Sequence, residues 1–139
     1  MKINIRKAQL GDMEAIHSLV RELAAYERGL DKVSTTPGSY IADFEKGACD
    51  AFVAEVGGEI VGMALYCGMF STWRGRMLYL EDFIVRESLR GAGIGKMLFE
   101  AFIEEARRQE VVLVRWQVLN WNEPGLHFYR RKPTVVDEE

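Results

Sequence analysis

The spacing of apolar residues changes along the chain in a readable order. Ile3 and Ile5 alternate with polar neighbours, which predicts a half-buried first strand. Gly11-Asp12 breaks that pattern. From Asp12 as N-cap, Ile16, Leu19, Val20, Leu23 and Ala24 recur at helical spacing and predict an amphipathic helix to about Glu27, with Gly29 as its stop. The stretch Asp31 to Gly47 holds the turn-rich Ser34-Thr35-Thr36-Pro37-Gly38-Ser39 and then a weaker period through Tyr40, Ile41 and Phe44. A loop followed by a short helix is expected there.

The strongest local signal follows. Ala51 to Val56 and Glu59 to Met69 flank Gly57-Gly58, and two glycines supply the positive φ angles of a tight turn between antiparallel strands. A loop carrying Ser71-Thr72-Trp73-Arg74-Gly75 leads into a long strand, Arg76 to Val85, at the centre of the sheet. Gly93 to Gln109 reads as a helix that buries Ile94, Met97, Leu98, Ala101, Phe102 and Glu105, and Val111 to Val118 is a β-branched strand. A strand-helix-strand crossover makes those two strands parallel. Asn122-Glu123-Pro124 starts a last helix to about Arg131, and Thr134-Val135-Val136 is a final short strand. The order β, α, α, β, β, β, α, β, α, β describes an α/β protein with one mixed sheet and helices on both faces.

Composition narrows the picture. The 139 residues, 48% hydrophobic and 28% charged, suit one globular domain spanning 1–139. A chain of this length buries roughly two-thirds of its unfolded surface without staples. Cys49 and Cys67 therefore read as two buried or idle thiols of a reducing compartment, and neither they nor His17 and His127 have the spacing of a metal site. The charged, alternating start lacks a signal-peptide core and no later run approaches a membrane span, so a cytoplasmic protein without a membrane partner is expected. A net charge of -3 argues against a nucleic-acid partner and fits a small cationic one.

The chemistry begins at Arg90-Gly91-Ala92-Gly93-Ile94-Gly95, where a strand hands over to a helix. Glycines there let backbone N–H groups turn toward one point at the positive end of a helix dipole, as a pyrophosphate requires. A plain glycine turn is the alternative reading. A dinucleotide GxGxxG fails because position 96 is Lys96, and a P-loop fails at Arg90 and Met97.

The surviving pattern, Arg90-x-x-Gly93-x-Gly95 after a long strand, resembles the acyl-CoA-binding motif of the GNAT superfamily of N-acetyltransferases. Four further strings, Arg21 to Glu27, Leu78 to Val85, Trp121-Asn122-Glu123-Pro124 and His127 to Arg131, are similar to its diamine and polyamine (spermidine/spermine) branch. The resemblance runs from Ile5 to about Arg131. It implies the acyl-CoA N-acyltransferase fold and acetyl-CoA as co-substrate, with no metal. The cofactor would lie on the backbone of Phe83, Ile84 and Val85, on the loop Arg90, Gly91, Ala92, Gly93, Ile94, Gly95 and Lys96, and on Asn122. Glu27, Trp73, Glu81 and Asp82 match positions that the branch uses for its amine substrate.

Acetyl transfer needs a neutral amine, so a base must take its proton. Glu81 is assigned that part, on the opposite face of the strand from Asp82 by simple alternation. Tyr129 matches the family's acid for the leaving thiolate. The resemblance thus implies acetyl transfer from acetyl-CoA to a primary amine of a diamine, polyamine or lysine-like molecule. Ser71 stands where the branch has an Asp, which weakens a long polyamine against a shorter amine. The family continues past this chain's Lys132-Pro133 with two strands, so one strand is expected to be missing. Its loss would leave bare backbone and an apolar groove beside Val111 to Val118, which a partner chain covers in a homodimer or which goes with a shortened and impaired protein. A CoA-binding regulatory domain with impaired catalysis, and a protein N-acetyltransferase, are the competing readings.

Overall fold

Gly57 and Gly58 hold φ angles of 59° and 83°, the left-handed pair that a two-residue hairpin turn demands. They join β2 (Asp50–Val56) to β3 (Glu59–Ser71) in a computed structural model that describes residues 1–116 and the backbone of 136–138. β4 (Gly75–Val85) returns antiparallel along β3, and β1 (Asn4–Lys7) lies antiparallel on the other side of β2. Helix α3 (Ile94–Arg108) then crosses to β5 (Leu113–Trp116), which pairs parallel with β4 from Met77↔Leu113 to Leu80↔Trp116. The expected crossover is present.

Among the described residues six strands are ordered β1-β2-β3-β4-β5-β6. The last, β6 (Val136–Glu138), runs parallel to β5 with Val114 opposite Val136. Val136 belongs to the expected strand Thr134–Val136, of which Thr134 and Val135 lie outside the described residues. The bare backbone expected beside β5 is thus met by the chain itself along Val114 to Trp116, and a shallow groove of mixed polarity between α3 and β5 is lined by Ile103, Ala106, Arg107, Val111 and Leu113. The helix expected over 122–131 lies outside the described residues.

Each face of the sheet carries its own core. Helices α1 (Met13–Tyr26) and α2 (Pro37–Glu45) cover one face, where Met13, Ile16 and Leu19 pack on Val53, Met63, Leu65 and Ile84. Helix α3 covers the other with Ile94, Leu98, Phe99, Phe102, Ile103 and Ala106 against Val61, Ala64, Tyr66, Leu78 and Leu80. The buried stripe differs from the expected one. Met97 is 37% exposed and Phe99 fully buried, because the i, i+4 rows through residues 94, 98, 102 and 106 and through 99 and 103 face the sheet. Glu105 is buried as expected, with its carboxylate held by Arg108 at 2.5 and 2.8 Å and by Gln109 at 2.6 Å.

Asp12 is the N-cap of α1, as expected, but instead of capping the helix its carboxylate accepts from the Gln9 backbone N–H at 2.7 Å and from Arg6 at 2.8 and 3.0 Å, tying β1 to the helix start. At the other end the positive φ falls on Arg28 (61°), one residue before Gly29, while Gly29 N–H reaches the Ala24 carbonyl at 2.7 Å. Glu110 closes α3 likewise at φ 56°. Helix α2 starts at Thr36, whose side chain accepts from Ser39 N–H in a reciprocal cap.

Two bulges shape the sheet. Ala54 pairs with Gly62 and Glu55 with Ile60, which leaves Val61 extra; Leu65 pairs with Asp82 and Tyr66 with Leu80, which leaves Glu81 extra. No helix among the described residues is long and apolar enough to cross a membrane.

Candidate active site

The bulge at Glu81 sets which side chains face which way. Before it, Leu78 and Leu80 belong to the α3 core; after it, Phe83 and Val85 pack against that core, while Ile84 belongs to the α1 core. Two residues, Glu81 and Asp82, therefore stand between successive α3-facing side chains. The expected opposition of this pair by alternation is overturned, since an extra residue breaks the period of two. The bulge at Val61 behaves the same way: Val61 lies in the α3 core, and a Cβ on Gly62 would meet Leu98 and Ile94 of α3.

The two carboxylates differ in exposure. Glu81 is exposed, while Asp82 is partly buried and its carboxyl is pushed up to about 6 by burial first, then by the charges of Glu81 and Glu27. Asp82 in turn raises the Tyr40 phenol of α2, whose main cause is burial. Glu27 follows the last turn of α1, and partial burial raises it as well. Glu27, Glu81 and Asp82 thus form one acidic group at the C-terminal end of α1.

Beside that group lies the glycine loop. β4 ends at Val85, one helical turn over Glu87–Leu89 follows, and Gly91 and Gly93 adopt φ of 89° and 86° before α3 begins at Ile94. Gly93 is the N-cap, and no side chain caps the helix. The first N–H groups of α3 have no partner within the helix by its geometry. A Cβ at Gly91 or Gly93 would find nothing within 4 Å, so the cradle is open on its outer side. Gly95 packs inward, its Cβ position 3.6 Å from Phe83 and 3.8 Å from Val85. Open, left-handed glycines leading into an uncapped helix fit an anionic phosphate.

Arg90 and Lys96 stand at either side. The Arg90 Nε donates to the Val85 carbonyl oxygen at 3.2 Å and its guanidinium lies over the Tyr26 ring of α1. Lys96 is exposed and faces Glu100 at 3.9 Å. Together these contacts bring Phe83 to Val85, Arg90 to Lys96, Glu27, Glu81 and Asp82 into one region. Trp73 is not among them. It is 95% exposed in the β3–β4 turn, and the strand from Gly75 to Glu81 alone is roughly 20 Å long. Asn122 and Tyr129 lie outside the described residues. Tyr40 is the neighbour that the sequence does not announce: its helical spacing with Phe44 is visible, but not that α2 brings it beside Asp82.

An open mixed sheet, a glycine cradle at the head of α3 and an acidic group beside it fit an acyl-transfer domain. The chain belongs to the Acetyltransferase (GNAT) family, whose model matches residues 14–132. It is 36% identical over 138 residues to a thialysine N-epsilon-acetyltransferase of Bos taurus, covering 92% of this chain and 81% of that protein. A spermidine/spermine N(1)-acetyltransferase-like protein 1 of Homo sapiens is 31% identical over 134 residues, covering 90% of this chain and 19% of that one. In fold it is similar to an aminoglycoside acetyltransferase, meta-AAC0020, from an uncultured soil metagenomic sample, with a TM-score of 0.84 at 20% identity over 99% of this chain and 91% of that one. The chain is an acetyltransferase of this family, whose members use acetyl-CoA as co-substrate, and it resembles the polyamine branch.

Proposed function

We propose that the protein transfers acetyl from acetyl-CoA to a primary amine of a small cationic molecule, a diamine, a polyamine or a lysine-like amine, by direct attack. The observation that carries this is the acidic group Glu27, Glu81 and Asp82 set against the glycine cradle of α3. Three carboxylates attract an ammonium group, and relatives named for acetylating thialysine at N-epsilon support a short amine-bearing chain.

Acetyl-CoA supplies an activated acetyl thioester. The chain's part is to hold it, through the α3 N-terminus, Gly91, Gly93 and the charges of Arg90 and Lys96, with Phe83 to Val85 and Asn122 along its length. An alkyl ammonium ion has no lone pair and must lose a proton before it attacks. Glu81 takes that proton, directly or through water, and Asp82, close enough to Glu81 for that charge to add to the rise of its own carboxyl, shares the load. Tyr129 returns a proton to the leaving thiolate. A homodimer and a cytoplasmic setting complete the reading: Trp73, remote from its own acidic group, can serve only that of a second copy.

The test is a thiol-release screen across diamines, polyamines and lysine analogues. Release with at least one of them supports the proposal. Tight acetyl-CoA binding with no release for any amine overturns it in favour of a CoA-binding regulatory domain.

A further inference from the structure

Cys49 and Cys67 take no part in acetyl transfer, yet they stand close to each other at the same end of the β2–β3 hairpin. Both thiols are free and half-buried. In the antiparallel ladder of β2 and β3, Ala51 lies opposite Leu65 and Asp50 opposite Tyr66. Cys49 lies one residue before β2 begins, and one further step in the same register would set it opposite Cys67.

The neighbouring hydrogen bonds decide what kind of pair this is. The Ala51 carbonyl accepts from Ala8 N–H at 2.9 Å, so Ala51 turns its polar groups toward β1. Cys49, two residues earlier, turns the same way, and no backbone bond joins it to Cys67. In a pair of that kind the Cα atoms approach to about 4.5 Å and the side chains stand closest. Disulfides span Cα separations of about 4.4–6.8 Å, a range that contains the spacing of such a pairing. The side chains also share a face: Cys49 packs against the α1 core to which Ala51, Met63 and Leu65 belong, and Cys67 follows Met63 and Leu65 at the strand period of two. Both line one cavity of about 500 Å³, together with Phe44, Tyr66 and Arg76.

We propose that Cys49 and Cys67 form a reversible cross-strand disulfide with a low-molecular-weight disulfide, such as oxidised glutathione, as oxidant. One protein thiolate attacks the glutathione disulfide, and one glutathione leaves as thiolate. The second protein thiolate then attacks the mixed disulfide and releases the other glutathione. Two protein thiols lose two protons and two electrons, and one oxidised glutathione becomes two thiols.

The surroundings set the rate. Burial pushes the Cys49 thiol up to about 11, with Asp43, Cys67 and Asp50 adding to it. Cys67 moves the same way through burial and then Glu81, while Arg76 is the cation of the shared cavity. Thiolate is therefore scarce at neutral pH, and the exchange speeds up in alkaline buffer.

The experiment incubates the full chain with excess oxidised glutathione in mildly alkaline buffer, blocks remaining thiols with iodoacetamide, and reads intact mass and a peptide map. The expected product is a monomer short of two hydrogens, alkylated at neither cysteine, reverting with dithiothreitol and forming faster at higher pH. Cys49→Ser should instead carry one glutathione on Cys67. Full alkylation of both thiols, a separate glutathione on each, or linkage only between chains would each overturn the proposal. None of these readouts depends on acetyl transfer.

Discussion

Arg90 lays its guanidinium carbon 5.9 Å from the centre of the Tyr26 ring while its Nε donates to the Val85 carbonyl oxygen at 3.2 Å. One side chain thereby joins the end of α1, the end of β4 and the glycine loop. Arg90→Ala is expected to raise KM for acetyl-CoA about tenfold, equivalent to roughly 1.4 kcal/mol, with a smaller change in kcat. Steady-state kinetics at two salt concentrations check this. An unchanged KM removes Arg90 from the phosphate cradle.

Asp82 carries a cost that depends on pH. Its carboxyl moves from an ordinary value of 3.8 to about 6 in the folded chain, so the folded state favours the protonated form. The penalty is absent below the ordinary value, grows as pH rises toward the folded one and is complete above it. At about 1.4 kcal/mol for each pH unit between those two values, it reaches at most roughly 3 kcal/mol. Asp82→Asn should therefore be more stable than the parent in mildly alkaline buffer and no more stable in acid below the ordinary carboxylate range, as read by urea unfolding under both conditions. Equal stability in both would place the carboxyl in water.

The catalytic roles separate by pH and by binding. Tyr129→Phe is expected to lower kcat at least tenfold with little loss of acetyl-CoA affinity, because general acid catalysis contributes about 10²–10⁴-fold. Glu81→Gln should shift the pH dependence of kcat/KM upward. Turnover unchanged in the first, or an unaltered profile in the second, assigns the acid or the base to another group.

Gly62 lies under the start of α3, where a Cβ would come within 3.0 Å of the Ile84 carbonyl oxygen and 3.2 Å of Leu98 Cδ1. Gly62→Ala should lose about 1–3 kcal/mol by overpacking. The helix head would also be displaced from the cradle, so acetyl-CoA binding should weaken in the same variant. Calorimetry of unfolding and of binding reads both effects, and a variant of parental stability would show that Leu98 and the strand yield freely.

Local chemistry is legible in the sequence and long-range geometry is not. Gly57-Gly58 announces its hairpin because two positive φ angles have few other uses, and Gly91 and Gly93 announce a turn into a helix. Arg28 and Glu110 show the opposite case: both take left-handed angles that a reader assigns to glycine, since hydrogen bonds to Ala25 and Arg107 hold them there. The relation of Glu81 to Asp82 depends on how β3 pairs with β4, which no window of β4 contains. Resemblance groups Trp73 with the acidic residues, but the length of the β3–β4 hairpin carries it to the opposite end.

The extra residue in β4 has one more implication. Removing Glu81 would let Leu80, Asp82 and Phe83 resume strict alternation without turning any apolar side chain to the wrong face, because Phe83 and Val85 already point to the α3 core. The ladder has no need of that position. A chain shortened by this one residue should keep both cores and its circular dichroism spectrum while losing one acid from the pocket, so folding and proton transfer become separable by deletion rather than substitution.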